Sequence, residues 1–283
     1  LGNDARYGEG IRSDLFFPEA EPKPVSYRLY GIEGARMNGG DTMKKFAVLT
    51  ILILMASLTL LQGSSVNKSI VVDPGEKVER SLKTVNGSIR IGDEAIVEGD
   101  CRTVNGSITL GSHIRVDGSC DTVNGSIILG ESCRVDDLET TNGRIEIGRN
   151  CEIAGNVETT NGRLHLEEGT RVGGSLTTTN GNITLQGCEV KNDLFLSNGE
   201  IRIEKKSLIR GRIEISPSRS FSSFFGFFKR SKRHQKPIEL FIRDNSVVYG
   251  DIIVKNDHRK VIVYIEQGSE VKGKIINAEK RPL

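Results

Sequence analysis

The dipeptide Asn-Gly recurs at Asn86, Asn105, Asn124, Asn142, Asn161, Asn180 and Asn198, in successive steps of 19, 19, 18, 19, 19 and 18. A degenerate copy, Asn67-Lys68, lies one further step of 19 before the first. So strict a period makes each repeat one structural unit that buries its apolar face only by stacking on its neighbours. The unit reads roughly T-V-N-G-S-I-x-L-G-x-x-x-x-V-x-G-x-L-x, and eight units fit between Ser65 and Glu214.

Apolar positions alternate within each unit. Ile89 and Ile91 become Ile108 and Leu110, then Ile127 and Leu129, and so on to Ile201 and Ile203. A second column runs from Val78 through Val97 and Val116 to Ile209, and a third from Leu82 through Cys101, Cys120 and Leu138 to Ile213. Period-2 pairs of aliphatic residues split by glycine mean short strands. No stretch of about 10–12 residues has helical spacing. Three short strands per unit, with each unit one turn of a parallel coil, satisfy all three columns. Stacked coils then pair ~4.8 Å apart, like residue on like. The expected fold class is all-β: a parallel β-helix, or solenoid, of about ten triangular coils of roughly 18–19 residues.

The turn residues agree. Asn and Gly tolerate a left-handed backbone, so Asn-Gly is expected to mark a sharp corner. Gly92, Gly111, Gly130 and Gly148 mark a second corner, and Gly99, Gly118, Gly155 and Gly174 a third. Stacked Asn86, Asn105, Asn124, Asn142, Asn161, Asn180 and Asn198 are expected to form a structural amide ladder along the axis. Beyond the Asn-Gly units, IRDNSVVYGDI (242–252) matches IEQGSEVKGKI (265–275) at an offset of 23, which supplies coils nine and ten. The extra length falls in a polar loop, Lys255–Lys260.

At V-V-Y-G-D-I-I-V (247–254) and G-S-E-V-K-G-K-I (268–275) the chain resembles the bactofilins, a polymer-forming bacterial cytoskeletal family. Its T-x-N-G units are similar to the β-solenoid repeats of adhesins of bacterial envelopes. The resemblance covers about residues 65–278. It implies a single-stranded right-handed β-helix that assembles end to end, without nucleotide or other cofactor.

One stretch breaks the repeat. Residues 216–237, SPSRSFSSFFGFFKRSKRHQKP, interrupt the coil between Ile213 and Leu240 and are expected to project from the rod. They hold Phe221, Phe224, Phe225, Phe227 and Phe228, half of all the Phe, together with six basic residues and no acid. Aromatic rings followed by Lys229, Arg230, Lys232 and Arg233 suit docking to an anionic membrane surface or a partner, with rings in the acyl boundary and cations on phosphates. The blander reading folds the rings back over the rod. Nucleic acid is not the expected partner: 39 basic residues against 37 acidic leave the chain at +2, with no extended basic face.

The N-terminal region reads as processing rather than structure. Lys44 and Lys45 precede an uncharged run from Phe46 to Leu61, and then Gly63, Ser64 and Ser65. This is a signal-peptide pattern, too short for a span of ~20 residues. We expect residues 43–65 to be a cleaved signal and export to end in the periplasm or at the cell surface. Residues 1–42 are expected to be a mistranslated or disordered extension, with Met43 the initiator. The domain plan is then 66–215 as T-x-N-G β-helix, 216–237 as loop, 238–278 as further coils and 279–283 as a tail.

No catalytic signature emerges. Five Cys cannot pair fully within one chain. Cys133, Cys151 and Cys188 share one column and Cys101 and Cys120 another, beside small or apolar residues. They read as buried hydrophobes, with bridges between adjacent coils the alternative in an oxidising compartment. His113, His165, His234 and His258 are scattered, and no Cys/His spacing suggests a metal. Asp136-Asp137 is the nearest thing to a carboxylate pair, at a corner where water is the expected neighbour. Thr84, Thr103, Thr122, Thr140, Thr159 and Thr178 stack, and alternation points them inward. The functional expectation is therefore an exported, non-enzymatic β-solenoid with a structural or scaffolding role in the cell envelope, self-associating end to end. An adhesin-like ligand-binding module is the first rival and a carbohydrate-active enzyme the second. N-terminal sequencing of the native protein should return no peptide from residues 1–42.

Overall fold

A computed structural model describes residues 67–217, 236–255 and 259–283. The described chain is all strand and turn, coiled into a parallel β-solenoid of about ten turns. Each turn contributes one strand to each of three sheets, of 11, 10 and 10 strands, and every pairing is parallel. The first sheet starts with Ile70–Val72, the second with Lys77–Val78 and the third with Leu82–Lys83. Three sheets joined at three corners give the triangular section expected from the columns.

Register follows the repeat. Ile89 pairs with Ile108, Ile108 with Ile127, Ile127 with Ile145 and Ile145 with Leu164. The second sheet stacks Val97 on Val116, and the third stacks Cys101 on Cys120 and Cys120 on Leu138. All these side chains point inward and form a single aliphatic column, with Ile89, Val97, Cys101, Ile108 and Cys120 fully buried. The inward threonines are buried as expected. Thr84, Thr103, Thr122, Thr140, Thr159 and Thr178 each donate their hydroxyl at 2.7–3.2 Å to a carbonyl of the preceding coil's first corner. A buried hydroxyl is thereby satisfied without water.

Each corner carries its own side-chain ladder. At the first, each Asn Nδ2 donates to the Asn Oδ1 one coil earlier at 2.7–3.0 Å, from Asn198 up to Asn67. At the second, backbone N–H groups of Cys151, Cys188 and Ser207 donate to Thr170, Ser207 and Ser246 in the next coil. At the third, Asn156 and Ser175 N–H groups donate to the side chains of Asp137 and Asn156 in the preceding coil. Asp136 is exposed as expected, whereas Asp137 is half-buried and held in this ladder.

The expected reason for Asn-Gly is corrected. Left-handed residues lie mostly at the second corner, among them Glu94, His113, Ser132 and Asn150 with φ of 57–61°, and Gly75, Gly169, Gly187 and Gly268. The Asn of the ladder have no positive φ. Glycine follows them because coils approach most closely there: a Cβ on Gly106, Gly125 or Gly143 would collide with the carbonyl of the glycine one coil above. The constraint is contact between coils, not local backbone hand.

The described residues stop at Pro217 and resume at Lys236, between Ile213–Ile215 and Ile238–Ile242, at the corner where an Asn-Gly is missing. Residues 279–283 are not a tail: Glu279–Pro282 pairs with Val261–Ile265 as the eleventh strand of the first sheet.

Gly125→Ala should cost about 3 kcal/mol or more, because neither colliding group is a movable side chain. Asn124→Asp keeps the acceptor for Asn142 but loses the donor to Asn105, and should cost about 1–2 kcal/mol. Thermal unfolding followed by circular dichroism measures both; equal, negligible shifts would show that the first corner does not hold the coils together.

Candidate functional site

Alternation places every second strand residue outward, and stacking turns each outward position into a column on a flat face. Two such columns carry chemistry. On the third sheet, Asp121 pairs with Glu139 and Glu139 with Glu158. Three carboxylates therefore stand at coil spacing, ~4.8 Å apart. Arg102 answers them at one end, its Nε 2.8 Å from Asp121, and Ser119 donates to the same oxygen at 2.8 Å. Burial raises the pKa of all three, against Ser119 and Arg102 at Asp121. For Glu139, burial comes first and the charges of Asp121 and Glu158 follow, pushing it up to about 7. Lower in the column Glu214 is buried and paired with Lys255 at 2.7 Å.

On the first sheet a shallow groove of about 550 Å³ is lined by Glu146, Arg163, His165, Thr184, Glu200 and Arg202, among others. Arg163 pairs with Glu146 at 2.8 Å, and Arg202 with Glu200. Below the groove Phe241 and Tyr264 stack with centroids 4.9 Å apart, and Arg202 and Arg243 lie over the Phe241 ring at 5.9 and 4.7 Å. The groove and the carboxylate column occupy different faces, so the arrangement does not join a titrating acid to a ligand cavity. His165 is half-buried on the groove floor, and His113 sits at a left-handed corner.

All five cysteines are buried and free. Burial holds Cys188 up to about 12, and a hydrogen bond with the Cys101 thiol, together with burial, raises Cys120. Cys133 is lowered by its hydrogen bond with Cys151. Enclosed thiols out of reach of solvent are poor nucleophiles, which fits packing rather than reaction. Among the described residues no group of His, Cys, Asp and Glu is arranged to hold a metal ion, and no helix is long and apolar enough to cross a membrane.

Of the residues singled out in the sequence, the seven Asn form one continuous ladder. Its last rung, Asn198 Oδ1, also accepts from Arg259 Nη1 at 3.2 Å, and Arg259 in turn bonds the Lys236 carbonyl. Arg259 thus ties the ladder's end to the point where the 216–237 segment rejoins the coil. Phe221, Phe224, Phe225, Phe227, Phe228, Lys229, Arg230, Lys232 and Arg233 lie outside the described residues, as do His234, His258 and the signal segment 43–65. The carboxylate column and the groove escaped the sequence reading, although both consist of outward positions one repeat apart or next to core pairs. No family model, curated protein or solved structure matches the chain.

Glu139 binds a proton more tightly folded than unfolded, so its contribution favours folding at low pH and declines as pH rises from about 4.5 to about 7. Glu139→Gln should raise stability at pH 8 by about 1–2 kcal/mol, discounted for partial exposure, and make little difference at pH 4. Melting curves of both proteins across that range test this; a constant difference at all pH values would contradict it.

Proposed function

We propose that the protein is an exported, non-enzymatic scaffold of the bacterial envelope, a bactofilin-like or adhesin-type rod. The observation that carries this reading is the unbroken register of three sheets around one aliphatic column, which makes a stiff element of roughly 50 Å at ~4.8 Å per coil. Such a stack resists bending because each coil is bonded along the axis at every strand and every corner.

End-to-end growth fits the chemistry of the termini. Partly buried Ile70 and Val78 lie in the first coil, and Ile265, Val271, Ile275 and Ala278 in the last. The first and last described coils therefore each carry a partly buried apolar section rimmed by strand edges. One sheet is blunted. Leu283 N–H donates upward to Ile265 at 3.2 Å, so by alternation the Pro282 position faces away from the rod, where proline offers no donor. Lys280 and Arg281 beside it add charge to that edge. The last strand is thus a brake on assembly at one of three sheets.

Docking to an anionic membrane through Phe221, Phe224, Phe225, Phe227, Phe228 and the adjoining Lys and Arg completes the proposal, since a rod becomes a scaffold only when held at a surface. An adhesin-like module is the second reading. The first-sheet groove favours it, because a flat face with paired charges and an aromatic stack suits a polar ligand.

Electron microscopy and sedimentation of the full chain are expected to show rods and end-to-end multiples, longer when residues 279–283 are deleted. Anionic vesicles should retain the full chain, and the Phe224, Phe225, Phe227 and Phe228 to Ser variant should be released. Particles of one length in both forms would sink the assembly. Equal vesicle retention would sink the docking, and a monomer that captures a glycan would favour the second reading.

A further inference from the structure

The outer face of the second sheet is self-complementary. The residue following each second-sheet strand forms an exposed column along the third corner, fixed by backbone bonds such as Glu98 N–H to Val78, Asp117 N–H to Val97 and Lys191 N–H to Val172. Its first four members are Glu79, Glu98, Asp117 and Asp136, all acidic and all exposed. Its last four are Lys191, Arg210, Tyr249 and Lys272, also exposed. Between the halves stand Ala154 and Gly173, the two smallest side chains. Tyr249 is held between cations, with Arg210 at 5.9 Å and Lys272 at 4.4 Å from its ring centre, so the basic half is a continuous strip. Asp136, Lys191 and Lys272 take part in none of the ion pairs among the described residues.

A two-fold axis between Ala154 and Gly173, perpendicular to the rod, superposes the acidic half of one copy on the basic half of another. Glu79 then meets Lys272, Glu98 meets the Tyr249 hydroxyl, Asp117 meets Arg210 and Asp136 meets Lys191. The parallel column of outward strand residues obeys the same operation. Lys77 meets Glu270, Arg134 meets Glu189, Glu152 meets Arg171, and the apolar pair Ile96 and Val247 meet each other. Arg115 meets Leu208, the one level without a match. Two rods lying parallel match opposite charges at five levels rather than six, and Ile96 would face Glu98, Leu208 would face Arg210, and Glu152 and Arg171 would face Ala154 and Gly173.

We infer that the second-sheet face binds a second copy of this chain in antiparallel, side-by-side register, centred between Ala154 and Gly173. This is an isologous contact, in which every ion pair occurs twice. A face of ten coils and roughly 12 Å width covers about 600 Å² per copy, at the lower bound for a specific interface. Exposed ion pairs are individually weak and screened, so the dimer is expected to be reversible and salt-sensitive. The inference does not depend on end-to-end assembly. Lateral pairing doubles the width of a rod and leaves its length unchanged.

Sedimentation velocity of the full chain over a concentration series, at about 0.05 M and about 0.5 M salt, tests it. A monomer–dimer equilibrium should appear at low salt and weaken at high salt. Lys191→Glu and Asp136→Lys should each weaken dimerisation about tenfold or more, since each places like charges together twice. The double variant, which restores opposite charges, should recover it. Asp136 and Lys191 of one chain are three coils apart, so a zero-length carbodiimide cross-link between them is an intermolecular link and reports the antiparallel register. A monomer under every condition overturns the inference. So does a dimer unchanged by the single reversals, or a swap that fails to rescue.

Discussion

Close approach of successive coils at the first corner is the constraint from which the other features follow. Glycine at 87, 106, 125, 143, 162 and 181 leaves no room for a Cβ against the carbonyl above. That contact sets the coil-to-coil distance where the chain turns most tightly. Once the distance is fixed there, the Asn amides fall within hydrogen-bond reach of each other and the inward Thr hydroxyls reach the corner carbonyls. Neither bond is strong alone, since a net hydrogen bond contributes about 1 kcal/mol. Repetition along one axis makes each coil's geometry the template for the next, as in other quasi-one-dimensional folds.

Stacking has an electrostatic cost that the same geometry reveals. A residue in such a column meets its own column first, so any run of like charge is held at coil spacing. Arg102 between Asp100 and Asp121 shows one way to offset this. Asp121, Glu139 and Glu158 show what happens when such a run is also partly buried with too few cations: burial first, and the neighbouring charges after it, move the middle carboxyl toward its neutral form. Glu146 shows a third arrangement, in which Arg144 and Arg163 reach it from before and behind in the chain at 3.0 and 2.8 Å. Charge order along a column is therefore constrained by neighbours a full coil away along the chain as well as by those two residues off in sequence.

The columns of Ile89, Val97 and Leu82 were legible because alternation and stacking both act on residue type, and the two periods agree. The Asn ladder was legible for the same reason. Its glycine was located correctly but for the wrong cause, because a steric contact between coils leaves the same mark in sequence as a left-handed turn. The left-handed positions of the second corner carry Glu94, His113, Ser132 and Asn150 in four coils and Gly75, Gly169, Gly187 and Gly268 in others, a mixture too varied to stand out as a column. Glu279–Pro282 was illegible as a strand: it has neither an aliphatic pair nor a Gly corner, and its place comes from pairing with Val261–Ile265. The perturbed carboxylates were written in the repeat, but their significance needed burial, which the outward half of a strand does not announce.

A solenoid separates folding from recognition more cleanly than a globular domain does. Inward columns are committed to the core, and corner columns to ladders and close contacts. The outward columns remain free to vary, and each is a line of side chains at fixed spacing. A pattern on such a line is read by a partner as a whole, because shifting the partner by one coil changes every pairing at once. For the second-sheet face this makes register specific even though each ion pair is weak. Four acidic positions, two small ones and four basic or aromatic ones admit one antiparallel alignment that satisfies all levels of that column, and every displaced alignment sets some charge against its like or leaves it unmatched. Specificity then arises from the length of the match rather than from any single strong contact.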